Sequence, residues 1–309
     1  MLEAMLAGGG GGRVPIKKWT TLTPAPKATV TTPMVAIEGK LYLPGGYNYT
    51  DSHYNTHQCY DIATDTWSTK APLPFLGMNY TAVAINGKMY VYGGTLKGAS
   101  AYNGALWCYD PTTNTWVACA TGQNSGYHAL TVHGEKLYVY SGFSFSNNNT
   151  RNYNGFRVYD PVTNTWAGLP NTPGNRAFAI LVSLEGRVGL LGGYSSVSNG
   201  AGGFIDTYPN TIRRFDPSTG AWDVGTPLDL GAQNWFGDGI DDTVYVTGVA
   251  NNPQCREYNT LKGLINTPSS PSSHQNGCSA VWDGKWYLFG GYMTGGVSNK
   301  LECYQPFSD

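Results

Sequence analysis

The groups able to do chemistry in this 309-residue chain are few: five histidines, 20 carboxylates, and 19 lysines and arginines. Tyr127-His128 sets a proton carrier beside a phenol. Asn175-Arg176 supplies a cation able to clamp a carboxylate through paired hydrogen bonds. Asn79-Tyr80 and Asn234-Trp235 offer aromatic faces on which a sugar ring can stack, and Gln275-Asn276 offers two amides. Glycoside hydrolysis would need two carboxylates at a fixed separation. Most acids instead recur in turn contexts, such as Asp61, Asp110, Asp160 and Asp216, which leaves chiefly Asp51, Asp206 and Asp229, scattered along the chain. A glycosidase is therefore disfavoured. His53, His57 and His274 have no metal-ligand spacing, so neither a metal nor another cofactor is expected.

Composition narrows the classes further. With a net charge of −1 there is no basic excess to neutralise a phosphate backbone, so nucleic acid is not an expected partner. No apolar run is long enough to span a bilayer, and membrane insertion is not expected. The start, Met1 to Ala7, carries an acid where a secretion signal needs bases and runs into five glycines, Gly8 to Gly12. Six cysteines are too sparse for a disulfide scaffold and read as buried thiols. Gly (41) and Tyr (22) are abundant, so turns and aromatic packing must carry much of the fold.

The elements that position these groups repeat. Glycine pairs or near-pairs end at Gly46, Gly94, Gly142, Gly193, Gly248 and Gly291, with spacings of 48, 48, 51, 55 and 43. Trp19, Trp67, Trp116, Trp166 and Trp222 keep the same beat. Between the two markers lies a turn such as Tyr109-Asp-Pro-Thr-Thr-Asn-Thr-Trp116, and before each glycine pair lies an alternating strand such as Lys88-Met-Tyr-Val-Tyr92. Each unit reads as four short strands, a to d. This period with diglycine, Tyr and Trp markers resembles the kelch repeat, a β-propeller blade, over roughly residues 14 to 307. The resemblance implies an all-β, six-bladed β-propeller. The third unit departs with Ser141-Gly142, and the fifth with Thr247-Gly248 and no tryptophan. The last unit lacks strand d and Trp19 is otherwise unassigned, so residues near the start should complete it and close the ring. The expected organisation is an anchor peptide and glycine hinge over residues 1–13 and a single propeller over 14–309.

Length varies only between the glycine pair and the next turn aromatic, at 14, 15, 17, 22, 10 and 13 residues, which are the b–c loops. In the architecture that the resemblance implies, these loops share one face, the top, with the d–a connections. They carry Tyr49, Tyr54, Phe145, Tyr153, Tyr194 and Tyr208 among Asn, Ser and Gly, a composition suited to glycan or protein surfaces. Tyr80, Tyr127, His128, Arg176, Trp235 and Asn276 are expected at the channel mouth, as a binding site or as a polar plug. Strand d runs from bottom to top, so residues 1–13 should leave from the bottom, where Met1, Leu2, Met5 and Leu6 form one apolar face able to anchor in a partner.

The resemblance also covers enzymes. Some kelch propellers are copper-radical oxidases, whose Tyr-His pair Tyr127-His128 resembles although their Cys-Tyr partner is not found, and some six-bladed members open the ring of an acidic sugar. The favoured expectation is a non-enzymatic binding and display module. It would be tethered through its N-terminal peptide to a larger protein assembly, such as a phage tail or fibre component of a virion or a surface adhesin, and would meet a glycan or protein receptor with its top face. The alternatives are a sugar epimerase or mutarotase acting on an acidic sugar and an intracellular interaction scaffold.

Overall fold

The computed structural model of the chain describes residues 14–50, 52–99, 101–124, 126, 128–142, 155–199, 204–225, 236–240, 243–247, 254–259, 263–293 and 295–308. Among these there is no helix; six four-stranded antiparallel sheets form the six blades. Blade 1 comprises Val35–Ile37, Lys40–Asn48, Ser52–Asp61 and Thr66–Lys70, which are strands a to d from channel to rim. Blade 2 is Thr81–Ile85, Lys88–Tyr92, Leu106–Asp110 and Thr115–Ala118, and blade 3 is Ala129–His133, Lys136–Tyr140, Phe156–Asp160 and Thr165–Leu169. Blade 4 is Ile180–Leu184, Arg187–Leu191, Arg213–Asp216 and Ala221–Val224. Blade 5 is Phe236–Ile240, Thr243–Thr247, Arg256–Asn259 and Gly263–Asn266. Blade 6 is Cys278–Trp282, Lys285–Phe289, Leu301–Phe307 and, from the other end of the chain, Pro15–Leu22. Each a strand touches the a strands on both sides, so the ring is closed. The closing pair aligns Trp19 with Tyr304 and Leu22 with Leu301, as the unassigned tryptophan foretold.

The strand sequences explain the layering. Strand b is wedged between neighbouring blades and reads as buried Tyr, Val and Leu on both faces, as in Leu137-Tyr-Val-Tyr140. Tyr60, Tyr92, Tyr109, Tyr140, Tyr159, Tyr245, Tyr258, Tyr287 and Tyr304 are fully buried between blades, so the tyrosine-rich composition mostly builds the core. On the bottom face the a–b hairpins turn through Glu38-Gly39, Asn86-Gly87, Gly134-Glu135, Glu185-Gly186 and Asp283-Gly284. Both residues of each pair are left-handed, the turn whose twist matches the flanking strands.

The repeated turn motif is an inter-blade clasp. The indole N–H of each strand-d tryptophan donates to a carbonyl just past strand d of the preceding blade: Trp67 to Thr23, Trp116 to Ala71, Trp166 to Ala120, Trp222 to Pro170 and Trp19 to Pro268, at 2.7–3.0 Å. Inside the turn a left-handed Asp or Asn accepts the motif tyrosine hydroxyl, as in Tyr60 to Asp65, Tyr109 to Asn114 and Tyr159 to Asn164. The same oxygens accept backbone N–H groups of the preceding connection, from Thr23, Ala71 and Ala120. In blade 4 the aromatic is Phe215, which has no hydroxyl to donate, and the left-handed position is Gly220.

Candidate functional site

The a strands begin on the top face around a cavity of about 530 Å³. Its floor is apolar, with Met34, Leu130, Ile180, Leu181 and Phe236, and its rim carries Thr31, Asn79, Thr81, His128 and Asn276. Among the described residues lining it there is no carboxylate, lysine or arginine. The backbone at the mouth is unusual. Thr31, Asn79, Phe178 and Asn276 have φ of 56°, 59°, 55° and 55°, and each lies fifteen positions before the second glycine of its pair. A left-handed β-branched or bulky residue costs about 1–2 kcal/mol, so the surrounding structure holds Thr31 and Phe178 in place. Thr31 Oγ1 and Thr81 Oγ1 are shut away from solvent and meet no hydrogen-bond partner.

That fifteen-residue offset corrects the sequence reading of blade 4. Ala177 bridges Tyr194 as Gln275 bridges Tyr292, so Phe178 stands at the mouth, and Asn175-Arg176 lies further back along the connection. Arg176 is buried. Its guanidinium donates to the Gly192 and Thr211 carbonyls at 3.1 and 2.8 Å and to Thr211 Oγ1 at 2.7 Å, and its backbone N–H meets Tyr140 Oη. It does not line the cavity, because protein acceptors already absorb its donors.

Tyr80 and His128 do reach the cavity, but both also pack back onto the glycine pair of the preceding blade. A Cβ on Gly45 would stand 2.7 Å from Tyr80 Oη, and one on Gly93 2.3 Å from His128 Cε1, so these glycines are seats for the next blade's side chain. Tyr80 Oη donates to the Pro44 carbonyl at 2.6 Å, and burial pushes its phenol well above the usual range. The His128 ring meets Tyr92 edge-on at 4.8 Å. Tyr127 and Trp235 lie outside the described residues, as do Phe145, Tyr153 and the anchor residues Met1, Leu2, Met5 and Leu6.

Beside the mouth, at the seam of blades 6 and 1, the top face carries an aromatic cluster. Val30 and Gln275, next to Thr31 and Asn276, bridge Tyr47 and Tyr292. Tyr49 lies against Tyr292, tilted by 38° with centroids 5.8 Å apart, and Tyr47 meets Tyr49 and His53 edge-on at 5.9 and 5.3 Å. Tyr49 is 69% exposed. The expected loop here is a β-ribbon: strands b and c of blade 1 run past a bulge at Pro44/Gly46 and keep pairing to Asn48 and Ser52. In blade 4, Ser195–Ser198 and Phe204–Thr207 likewise pair as a hairpin, and Tyr194 and the exposed Tyr208 face each other at its base, 5.9 Å apart. Tyr54 is buried, its hydroxyl donated to the Ala28 carbonyl and its ring beneath the Lys27 ammonium. Sequence reasoning missed Tyr292, Thr31 and Phe178 and weighed His53 only as a metal ligand; counting back from each glycine pair would have found Thr31 and Phe178.

The remaining histidines are committed internally. His57 is buried against Tyr42, Tyr109 and Trp116, offers Nδ1 to the Ala71 carbonyl at 3.1 Å, and is held down to about 4 by burial. His274 spans the Gly290 carbonyl and Glu302 at 2.9 and 3.1 Å. Burial opposes charge on Glu302, but its bonds to His274 and to the Ser272 N–H prevail and hold its carboxyl below the usual range. Among the described residues no three His, Cys, Asp or Glu side chains converge as metal ligands, and no helix is long and apolar enough to cross a membrane.

Comparison with known proteins agrees with this geometry. The chain resembles Kelch domain-containing protein 3 of Rattus norvegicus, 26% identical over 64% of this chain and 54% of that one. It also resembles Kelch-like protein 23 of Pongo abelii, 33% identical over 64% of this chain and 34% of that one. It thus spans about half the length of the first and a third of the second. The solved structure described as "Structure of YjhT" superposes with a TM-score of 0.72 over 90% of this chain and 95% of that chain, at 16% identity, a likeness of fold alone. The KLHDC2/KLHL20/DRC7 Kelch-repeats domain matches residues 14–193, the blades whose turns keep their tyrosine and tryptophan, and with its glycine pairs, clasps and closed ring the chain belongs to the kelch-repeat family.

Proposed function

We propose that this propeller is a non-catalytic recognition module whose top face binds an uncharged, hydroxyl-rich ligand, a neutral glycan on a receptor surface. The observation that carries the reading is the exposed Tyr49 ring leaning on Tyr292 beside a cavity whose described lining holds no carboxylate, lysine or arginine. A sugar presents C–H faces that suit an aromatic platform, and hydroxyls that suit the amides of Asn79 and Asn276. An acidic sugar would need a cation at the mouth, and Arg176 is turned away into the protein.

The finer proposal is that the module is displayed on a larger assembly, a virion appendage or a surface adhesin. Residue 14 stands on the bottom face, where it exchanges hydrogen bonds with Ser308, so a tether joined there would leave the top face free for the ligand.

A glycan array followed by titration calorimetry tests the reading. Neutral oligosaccharides should bind, Tyr49→Ala should weaken them about tenfold, and Asn276→Gly, which keeps the left-handed backbone, should weaken them with the fold intact. Binding that survives both changes, or binding confined to a protein receptor, would overturn the glycan reading. Removal of residues 1–13 should leave binding intact and abolish incorporation into the assembly; normal incorporation would end the tether proposal.

A further inference from the structure

Arg176 and His274 hold the same place in their blades. Each lies seventeen positions before the second glycine of its pair, and each bonds to the carbonyl of the first, Arg176 to Gly192 at 3.1 Å and His274 to Gly290 at 2.9 Å. Glu302 and Arg213 are equivalent in turn. Each sits two residues before the motif aromatic of strand c, Tyr304 or Phe215, and opposite a leucine of strand b, Leu288 or Leu190. Blade 6 therefore sets a carboxylate against its buried histidine, at 3.1 Å. Blade 4 sets a second guanidinium where that carboxylate would stand.

Both cations of blade 4 belong to the seam with blade 3. The N–H of Arg176 donates to Tyr140 Oη, Arg213 shares a face of strand c with Phe215, and Tyr140, Leu190 and Phe215 pack there in one cluster. Burial, and after it the charge of Arg213, pull the Arg176 guanidinium down to about 10 against the opposing influence of Tyr140. The nearby acids are spoken for: Glu185, Asp216 and Asp223 pair with Arg187 and Arg214, and Asp206 accepts Tyr194 and Ser196. Among the described residues, neither Arg176 nor Arg213 meets a carboxylate. Blades 3 and 5 also carry arginine at this position of strand c, and each finds a glutamine: Arg157 donates to Gln123 at 3.0 Å and Arg256 to Gln254 at 3.4 Å. Arg213 Nε, by contrast, is shut away from solvent and meets no acceptor among the described residues.

We propose that the seam between blades 3 and 4 binds a small dianionic oxyanion, inorganic sulfate or phosphate, against Arg176 and Arg213. Two guanidinium charges brought together in a partly buried seam repel each other, and a divalent anion matches their sum. The bonds to Gly192 and Thr211 fix Arg176, so it contributes charge in a set place, while Arg213 contributes the unmatched donor in the geometry that oxyanions prefer. Arg213 keeps part of its surface exposed, which leaves the ion a way in. This site lies behind the mouth and is independent of the glycan reading.

Thermal denaturation of the whole chain tests the proposal. Millimolar sulfate or phosphate should raise the melting temperature by about 2 °C relative to chloride at equal ionic strength. Arg213→Glu restores the arrangement of blade 6 and should be at least as stable as wild type in chloride, with no response to either dianion. Arg213→Gln removes the charge with little change in reach and should lose the response as well. A general salting effect would act on both variants as on wild type. Absence of a rise in the wild-type chain, or an equal rise in the two variants, would overturn the proposal.

Discussion

The seam between blades 4 and 5 and the seams elsewhere join the same kind of sheet by different means. Five seams have an indole N–H seated on a carbonyl, with aromatic rings behind it: Trp166, for instance, lies 5.2 Å from Tyr92 and 5.1 Å from Tyr159. In blade 5, Leu264 stands opposite Tyr258 where the other blades carry tryptophan, and leucine has no N–H to give. The join between blades 4 and 5 is an aliphatic cluster of Ile180, Val182, Leu184, Leu191, Ile212, Val244 and Val246 with Tyr258, flanked by Arg214 paired to Asp223 and Glu185. A directional clasp fixes angle as well as distance, whereas aliphatic contact fixes little beyond proximity. The kelch motif is thus a device for blade-to-blade angle, and a ring that spends it five times tolerates one seam held by packing.

This contrast can be broken from either side. Trp166→Ala removes ring and clasp together and should cost about 3–5 kcal/mol in chemical denaturation. Ile212→Ala at the aliphatic seam should cost about 2–4 kcal/mol, all of it from lost packing. Trp166→Phe keeps a ring and deletes only the donor, with an expected loss of about 1–2 kcal/mol; a variant as stable as wild type would show that the seams differ in packing alone.

Blade 5 carries a further contrast in Asp238. This carboxyl faces the seam with blade 6 and accepts the N–H groups of Gly239 and Val281, yet burial raises it to about 6. An acid raised on folding binds its proton more tightly in the folded state, so its destabilising effect is absent below about pH 4 and complete above about pH 6. Because the residue keeps some exposure to solvent at this seam, Asp238→Asn should gain about 2 kcal/mol at pH 8 and almost nothing at pH 4. An equal gain at both values would show that ionisation is not the cause. The smallest effect belongs to the ion pairs at the bottom rim: Lys88→Gln breaks the 3.0 Å contact with Asp110 and should leave the melting temperature unchanged, because both groups face water.

Blade number and ring closure were legible because they follow from offsets that geometry holds constant. Tryptophan and glycine pair occupy fixed rungs of one sheet, so Trp19 could be assigned to a blade completed at the far end of the chain. The mouth was less legible. Asn175-Arg176 looked equivalent to Asn79-Tyr80 by residue type, but sheet register decides the position, and it selects Phe178, a residue whose left-handed backbone nothing in its chemistry announces. The b–c connections read as loops because Asn, Ser and Tyr suit loops and ribbons equally, and only pairing across the hairpin distinguishes them.

The closing strand has a consequence in time. Pro15–Leu22 leaves the ribosome long before its partner Leu301–Phe307, so during synthesis the segment must wait, with its aromatic and aliphatic side chains unplaced, while five blades assemble. Closure is then the slowest contact to form and the natural checkpoint of folding. A circular permutant that joined residues 308 and 14 and opened the chain in the connection after Leu22 would turn that wait into a local hairpin, and should refold faster to the same ring.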